Sequence, residues 1–312
     1  MISVVVPLLN EEATLEELYR EIATALEPRG EPFEVVFVDD GSTDRSLDVL
    51  HHLHDTAENV VVVHLRRNFG KAAALKAGFL EARGEIIVTI DADLQDDPAE
   101  IPQLLVKLDE EFDLVSGWKT RRSDPFLRRL FSRIFNATTG LISGVRLHDV
   151  NCGLKAYRTE VLQDMRLYGE LHRFIPVLAA YQGYRIAEIP VNHRAREHGR
   201  SRYGPERYLR GFLDLLSVTF MGRYRYRPLH LFGGVGLLMG AVGFIVLLYL
   251  SVLWFWGQGI GGRPLFFLGV LLMVVGIQLV SLGLLSELIT SQHEERIDER
   301  ERIERMVEDV VR

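Results

Sequence analysis

Two carboxylates spaced i and i+2, Asp91 and Asp93, follow the apolar run Ile86-Ile-Val-Thr-Ile90 in a stretch that reads Asp91-Ala-Asp93-Leu-Gln95-Asp-Asp-Pro98. Alternate residues of an extended segment project to the same side. At the end of a buried strand the two acids can therefore meet one divalent cation. Hard oxygen ligands suit Mg²⁺ or Mn²⁺, which would also bind a diphosphate. An Asp-x-Asp pair alone marks many solvated turns. Its place where an apolar strand runs out is what favours the metal. Asp96 and Asp97 read instead as a helix start before Pro98.

A second acidic cluster, Val38-Asp39-Asp40-Gly41-Ser42-Thr43-Asp44, also follows an apolar run. Helix capping accounts for Ser42 and Asp44. Two successive acids exceed what a cap needs, so Asp40 is expected to face a ligand such as a base or a ribose. Pro7-Leu-Leu9-Asn10-Glu11 ends the first strand, and three strand ends then converge on one nucleotide-sized crevice. Arg194, Arg196, Arg200 and Arg202 crowd a short segment near Gly199. They suit either a phosphate or a membrane-facing basic patch. Lys119, Arg121 and Arg122 form another basic group. Asp149 is either a turn former or an acid of the site. The only cysteine, Cys152, reads as packing rather than as a nucleophile, and it excludes an internal disulfide or a cysteine-based zinc site.

The elements that must position these residues alternate. Apolar runs at 2–7, 33–38, 60–64, 85–90 and 113–116 read as strands buried on both faces of a parallel sheet. Helical patterns intervene at 42–57, 72–82 and 98–108, and Thr14-Leu-Glu-Glu17 reads as a capping box opening the first helix. The implied architecture is an α/β doubly wound sheet, whose ligands bind beyond the carboxyl ends of its strands. A helix at 126–142 and a strand-like segment at 184–190 follow.

The 312 residues carry a net charge of −7, which argues against a nucleic-acid partner. Charge is unevenly placed. None occurs from Leu231 to Gly262 or from Pro264 to Ser286, whereas the last twenty residues are mostly charged. Two membrane spans at about 231–256 and 265–288, joined by a glycine-rich turn, account for this. The expected division is a catalytic domain over 1–203, an amphipathic juxtamembrane helix over 204–228, a hairpin over 229–290 and a tail over 291–312. Leu209, Phe212, Leu213, Leu216 and Phe220 form the apolar stripe of the juxtamembrane helix. Arg223, Arg225, Arg227 and His230 precede the first span, against Arg263 alone in the turn. The positive-inside rule then puts the catalytic domain and both termini in the cytosol. No signal peptide is expected, since Met1 runs into a strand. In the tail, Ile297, Ile303, Met306, Val307 and Val310 form an interrupted stripe, which suits a homo-oligomeric contact or a solvated helix.

The ordered motifs Val-Pro-x-x-Asn-Glu, Val-Asp-Asp-Gly-Ser-x-Asp, Arg67-Asn68-Phe69-Gly70-Lys71 and Asp-Ala-Asp-Leu-Gln-Asp-Asp-Pro resemble family 2 glycosyltransferases of the GT-A fold. The closer resemblance is to dolichol-phosphate mannose synthases and bacterial polyisoprenyl-phosphate glycosyltransferases, which also carry two C-terminal spans. It implies a metal-dependent, inverting transfer from a UDP- or GDP-sugar to a polyisoprenyl phosphate. By resemblance, Pro7, Leu9, Glu11, Val38, Asp40, Asp91, Ala92, Lys119 and Arg173 bind the nucleotide sugar, and Asp91, Asp93 and Gln95 hold the metal. Asp93, Asp149, Arg196 and Arg202 are the implied catalytic groups. The segment His193-Arg-Ala-Arg196-Glu-His-Gly199-Arg-Ser201-Arg202-Tyr203 matches the later family motif, with Arg196, Ser201 and Arg202 at the lipid phosphate. Arg202 replaces the usual lysine, and Arg200 stands where relatives often have an acid. His172 is a further candidate for the site wall. A rival reading, a membrane-bound transferase building polysaccharide on a sugar hydroxyl, would call for a Gln-x-x-Arg-Trp motif, which the chain lacks. An inactive scaffold is disfavoured by the intact acids and arginines.

Overall fold

The computed structural model describes residues 1–119, 136, 138–140, 143–145, 147–163, 165, 169, 171–194, 213–218, 220, 224, 227–259 and 264–310, with backbone alone at 163 and 293–310. Two compact units result, Met1–Thr219 and Phe220–Arg312. The expected helix at 126–142 falls largely outside the described residues, as does the basic pair Arg121 and Arg122.

In the first unit, the apolar runs become strands β1 (Ile2–Leu8), β2 (Phe33–Asp39), β3 (Val60–His64), β4 (Ile86–Thr89), β5 (Leu114–Lys119), β6 (Lys155–Arg158) and β7 (Ile186–Val191). They form one sheet in the order β3-β2-β1-β4-β6-β5-β7. Strands β1 to β4 pair in parallel, as runs with no polar alternation require. β6 departs from the parallel expectation. It runs antiparallel between β4 and β5, with Thr89 opposite Lys155. The turn that feeds β6 therefore lands at the carboxyl end of β4, beside the Asp91–Asp93 pair.

Helices α1 (Leu15–Leu26), α2 (Ser46–Thr56) and α4 (Ile101–Asp109) cover one face of the sheet, and α3 (Lys71–Glu81) covers the other. Leu15, Leu18, Ile22 and Leu26 of α1 and Leu104, Leu105 and Leu108 of α4 pack on Val4, Val6, Val35 and Phe37. The alternate residues Val5, Val36 and Val38 meet Ala74 and Leu75 of α3. Burying each large aliphatic side chain contributes roughly 1.5–3 kcal/mol. Thr14 does not form the expected capping box. Its hydroxyl lies 2.7 Å from the carbonyl of Ala92, to which it donates. That bond ties the start of α1 to the peptide between the two aspartates. Ser42 likewise accepts from the Asn10 amide instead of capping, whereas Asp44 does receive the Ser46 amide at 3.0 Å.

Helix is described at 213–218, where Leu215 and Val218 pack on Leu171, Phe174 and Val177. Leu213 and Leu216 of the expected apolar stripe face outward. Three-residue spacing explains both results: 215/218 and 213/216 lie on different sides of one helix.

The second unit is a helical hairpin of α7 (Pro228–Phe255) and α8 (Pro264–Val310), α7 being so numbered because Thr159–Gln163 and Ile175–Tyr181 form the short α5 and α6. The apolar stretches Pro228–Phe255 and Pro264–Gln292 are each long enough to cross a hydrocarbon core of about 30 Å. Few of their residues are buried, so leucine, valine and phenylalanine side chains cover the outside. Gly236 and Gly276 let the backbones touch. A Cβ on either would stand 2.6 Å from the other's carbonyl oxygen. Glu287 accepts the Leu229 amide at 3.1 Å, satisfying one free N–H at the start of α7. The tail stripe from Ile297 to Val310 has no described side chains.

Candidate active site

The metal-binding candidate lies where β4 stops. Leu94 takes a left-handed conformation at φ 56°, and the Asp93 carboxylate accepts the Gln95 amide at 3.3 Å. Ala92 is buried and its carbonyl is held by Thr14, so the residue between the acids is fixed while both carboxylates stay partly exposed. Asp91 is ion-paired with Lys71 at the start of α3. Two hard carboxylates at a strand end are a donor set that suits a divalent ion. Among the described residues no cluster of three or more His, Cys, Asp or Glu offers a self-sufficient cage.

The ends of β1 and β2 are laced together to form a crevice, the candidate nucleotide site. Asn10, at φ 56°, accepts the Thr43 amide at 2.7 Å, and the Glu11 amide donates to Ser46 at 2.9 Å. Asp39 is fully buried, accepting from the Ser42 amide and pairing with His64 Nδ1 at 2.8 Å. Asp40 receives the Phe69 amide at 2.7 Å on one oxygen and the Gly70 amide at 2.9 Å on the other. It thereby shapes the Arg67–Gly70 turn, with lone pairs remaining for a ligand. The Val38 side chain is inside the core, so only its backbone can face a nucleotide. Pro7, Leu9 and Glu11 remain half-buried along the crevice edge.

Below Asp91 a pocket opens between β4, β6, the start of α3 and the turn Leu171–Phe174. Lys71, Leu75, Thr89, Asp91, Asn151, Cys152, Gly153, Lys155, Tyr157, His172 and Arg173 line it. Gly153 is needed there. A Cβ would stand 2.8 Å from the Asp91 carboxyl carbon and 2.8 Å from Asp96 Oδ2. Burial pushes the Cys152 thiol up to about 12, with Asp96 adding to the effect and Lys119 opposing it, so the group is a neutral packing thiol. Burial also holds His172 well below the usual histidine range, helped by Lys71, Arg173 and Lys155 nearby. Its imidazole is neutral at physiological pH, and its Nδ1 is buried with no hydrogen-bond partner among the described residues.

Asp149 is buried in the turn before β6, where it accepts the Asn151 amide at 3.3 Å. Glu188 of β7 fixes this turn by receiving the Asp149 amide at 3.1 Å and the His148 amide at 2.8 Å. His148 Nδ1 also reaches Glu188 at 3.0 Å, and its ring stacks on Trp118 at 4.2 Å.

Asp96 overturns the reading of it as a helix start. It is 1% exposed, with Lys119 Nζ at 2.7 Å and His193 Nδ1 at 3.3 Å. Asp97 alone caps the turn before α4, accepting the Ala99 amide. The physical reason is direction: the bridge between Asp96 and His193 turns the Asp96 side chain into the core. Burial would raise its carboxyl, but Lys119 and His193 outweigh that and hold it well below the usual carboxylate range. Lys119, expected at the donor, pairs with Asp96 as its counter-ion. Arg194 continues the tie, donating its amide to Gln95 and its guanidinium to both oxygens of Glu21 and to Asp97.

Of the expected site residues, Asp91, Asp93, Gln95, Asp149 and Arg173 gather around the end of β4. Pro7, Leu9, Glu11, Val38 and Asp40 gather over β1 and β2. Arg196, Ser201 and Arg202 lie outside the described residues. Lys155, Tyr157 and Glu188 were not singled out from sequence. The signal for the first two was there: a lysine and a tyrosine two apart in an extended segment share one face.

The chain matches the model of glycosyl transferase family 2 over residues 3–166. It is 43% identical over 294 residues to dodecaprenyl-phosphate galacturonate synthase of Rhizobium johnstonii, covering 92% of this chain and 87% of that protein. It is 40% identical over 315 residues to undecaprenyl-phosphate 4-deoxy-4-formamido-L-arabinose transferase of Pseudomonas aeruginosa, covering 100% of this chain and 91% of that protein. Among solved structures, glucosyl-3-phosphoglycerate synthase of Mycobacterium tuberculosis in complex with Mn²⁺ and UDP-glucose aligns at TM-score 0.56 and 25% identity, over 70% of this chain and 79% of that one.

Proposed function

Because the chain belongs to glycosyl transferase family 2, we propose that it moves a sugar, with inversion, from a nucleotide sugar to a polyprenyl phosphate at a membrane surface. The observation that carries this reading is the reach of the likeness. The Pseudomonas relative, named for transfer to undecaprenyl phosphate, aligns with 100% of this chain, both apolar helices included. The two named relatives carry different sugars, so the likeness supports the acceptor and leaves the sugar open.

In the reaction, a phosphate oxygen of the acceptor bonds to the anomeric carbon. The bond from that carbon to the donor diphosphate breaks, and its electron pair leaves with the nucleoside diphosphate. Asp91 and Asp93, with Gln95, would hold a divalent metal, which would supply positive charge to the departing diphosphate. The nucleoside lies over Pro7–Glu11 and Asp40. The acceptor phosphate is already an anion at neutral pH, so no strong base is required, and Asp149 orients rather than deprotonates. Arg196 and Arg202, with Ser201, grip the lipid phosphate. Charge-assisted hydrogen bonds of that kind contribute about 1.5–3 kcal/mol each.

Transfer kinetics against varied polyprenyl phosphate test the acceptor. Arg196→Ala and Arg202→Ala are each expected to lose roughly 10- to 150-fold in kcat/KM for the lipid, with donor binding by calorimetry separating any effect on the nucleotide sugar. A free polyprenol serving as well as its phosphate would refute the reading. The arginines before the first span support an orientation with the catalytic unit and both termini in the cytosol. A cysteine introduced in the 257–262 turn should react with an impermeant thiol reagent on intact cells, and one in the 293–312 tail should not. The reverse pattern overturns the orientation.

A further inference from the structure

Lys155 is buried in the pocket below Asp91, with 4% of its surface exposed. It stands opposite Thr89, two residues inward of Asp91 along the neighbouring strand, or about 6.6 Å. Its ammonium donates to the Cys152 carbonyl, and no carboxylate hydrogen-bonds to it among the described residues. Burial, with Lys71 nearby, lowers its pKa, while Asp91 and Asp149 partly oppose that shift. A buried ammonium without a bonded counter-ion is costly unless a ligand brings one. Arg173, 8% exposed, and Lys71 line the same cavity, where Asp91 is the only lining carboxylate among the described residues. Lys71 is already paired with it. The neutral imidazole of His172 offers an unpartnered Nδ1 there.

Resting on the transferase reading above, we propose that this pocket receives the sugar ring of the donor and that Lys155 pairs with a carboxylate on that ring, so that the sugar carried is a uronic acid. Depth separates this group from the other anions of the reaction. On that reading the diphosphate would be held with the metal at the strand end, at Asp91 and Asp93, and the nucleoside would lie over β1 and β2. What reaches inward past Asp91 to Lys155 is the far end of the donor. A carboxylate at that end completes the ion pair that the fold leaves open, and Arg173 reinforces it. A neutral imidazole presents one donor and one acceptor, which matches a ring hydroxyl beside the carboxylate.

The test uses the full-length enzyme in lipid–detergent micelles with a polyprenyl phosphate acceptor. The donors are UDP-galacturonate and UDP-glucuronate against UDP-galactose and UDP-glucose. Wild type is expected to prefer a uronate over its neutral counterpart by at least about tenfold in kcat/KM. Lys155→Met should collapse that ratio by roughly 10- to 150-fold, the range for one charged hydrogen-bonded pair, and Lys155→Arg should restore much of it. A lysine that grips a phosphate common to all four donors would lower every rate and leave the ratio unchanged. That result overturns the proposal, as does a wild type that takes neutral hexoses equally well. Should Lys155→Met fail to fold, the wild-type donor ratio alone decides. Lipid-linked product from neutral sugars only would sink the uronate and leave the transferase reading standing, whereas no lipid product from any donor would sink both.

Discussion

Replacing Asp93 with asparagine is expected to lower kcat by roughly 10²–10³-fold, the loss seen when one electrostatic stabiliser of a transition state is removed. The amide keeps an oxygen to accept the Gln95 N–H at 3.3 Å, so the turn at Leu94 survives and only the charge is lost. Asp93 is a cleaner probe than Asp91. Neutralising Asp91 also removes an ion-pair partner of Lys71, so its effect mixes metal affinity with a local change in charge balance. Two measurements separate metal binding from chemistry. Calorimetric titration of Mn²⁺ in the presence of nucleoside diphosphate should show weaker binding to Asp93→Asn, and excess chelator should silence the parent to the same degree. A variant that transfers at the parental rate under chelation would remove the metal from the mechanism. Unfolding temperature is expected to stay close to that of the parent, because Asp93 is partly exposed.

The same strand end shows what a sequence can and cannot disclose. The position of Asp91 and Asp93 at a strand end was legible because a largely apolar run stops at Ile90 and two acids follow at once. The strand ends at Pro7 and Val38 were legible for the same reason, and with them the crevice between them. β6 was harder. Lys155 and Tyr157 point into the pocket, so the run Lys155–Arg158 lacks the uniform apolar spelling of its neighbours, and its antiparallel direction leaves no local mark. The contribution of Glu188 was invisible from sequence. It sits in β7, and its partners are amides 39 and 40 residues earlier. Thr14 and Ser42 carried strong capping signals that tertiary contacts overrode. Each hydroxyl found a more distant backbone partner, at Ala92 and Asn10 respectively. Capping preferences amount to about 1 kcal/mol, which one buried hydrogen bond can match.

The pair Asp39 and Asp40 refines the expectation of a ligand-facing acid. Both carboxylates are engaged by the protein, Asp39 with His64 and Ser42, and Asp40 with the Phe69 and Gly70 amides. Acids at strand ends therefore have two uses in this fold. Some hold loops rigid, and others are left open to a ligand. Exposure separates the extremes: Asp39 is fully buried, whereas Asp91 keeps 34% of its side chain in solvent, and Asp40 combines the two uses, holding a turn with lone pairs to spare.

Asp96→Ala is expected to cost about 3–5 kcal/mol of stability, the range for breaking a buried ion pair from one side. Lys119 and His193 would be left facing each other with no anion between them. Against a total stability of roughly 5–15 kcal/mol, that loss unfolds a substantial part of the population near physiological temperature. Removing both charges with Asp96→Leu and Lys119→Met should recover most of it, since a buried pair replaced by apolar residues is often neutral. The double variant also asks whether Lys119 has a role beyond its pairing, because donor affinity can be measured in a folded protein. The pH dependence has a fixed sign. The carboxyl of Asp96 titrates lower in the folded protein than unfolded, so its contribution is present above about pH 4 and fades as acid approaches its folded value. Lys119 titrates higher when folded: burial opposes the shift and Asp96 outweighs it. Its contribution holds below about pH 10.5 and is lost as pH rises through the folded value. Thermal unfolding of parent and Asp96→Ala should therefore differ by a constant amount from about pH 5 to pH 9 and converge in stronger acid. Equal stability of the two proteins at pH 7 would mean that the cluster of Asp96, Lys119 and His193 does not hold the end of β4 to the segment at His193.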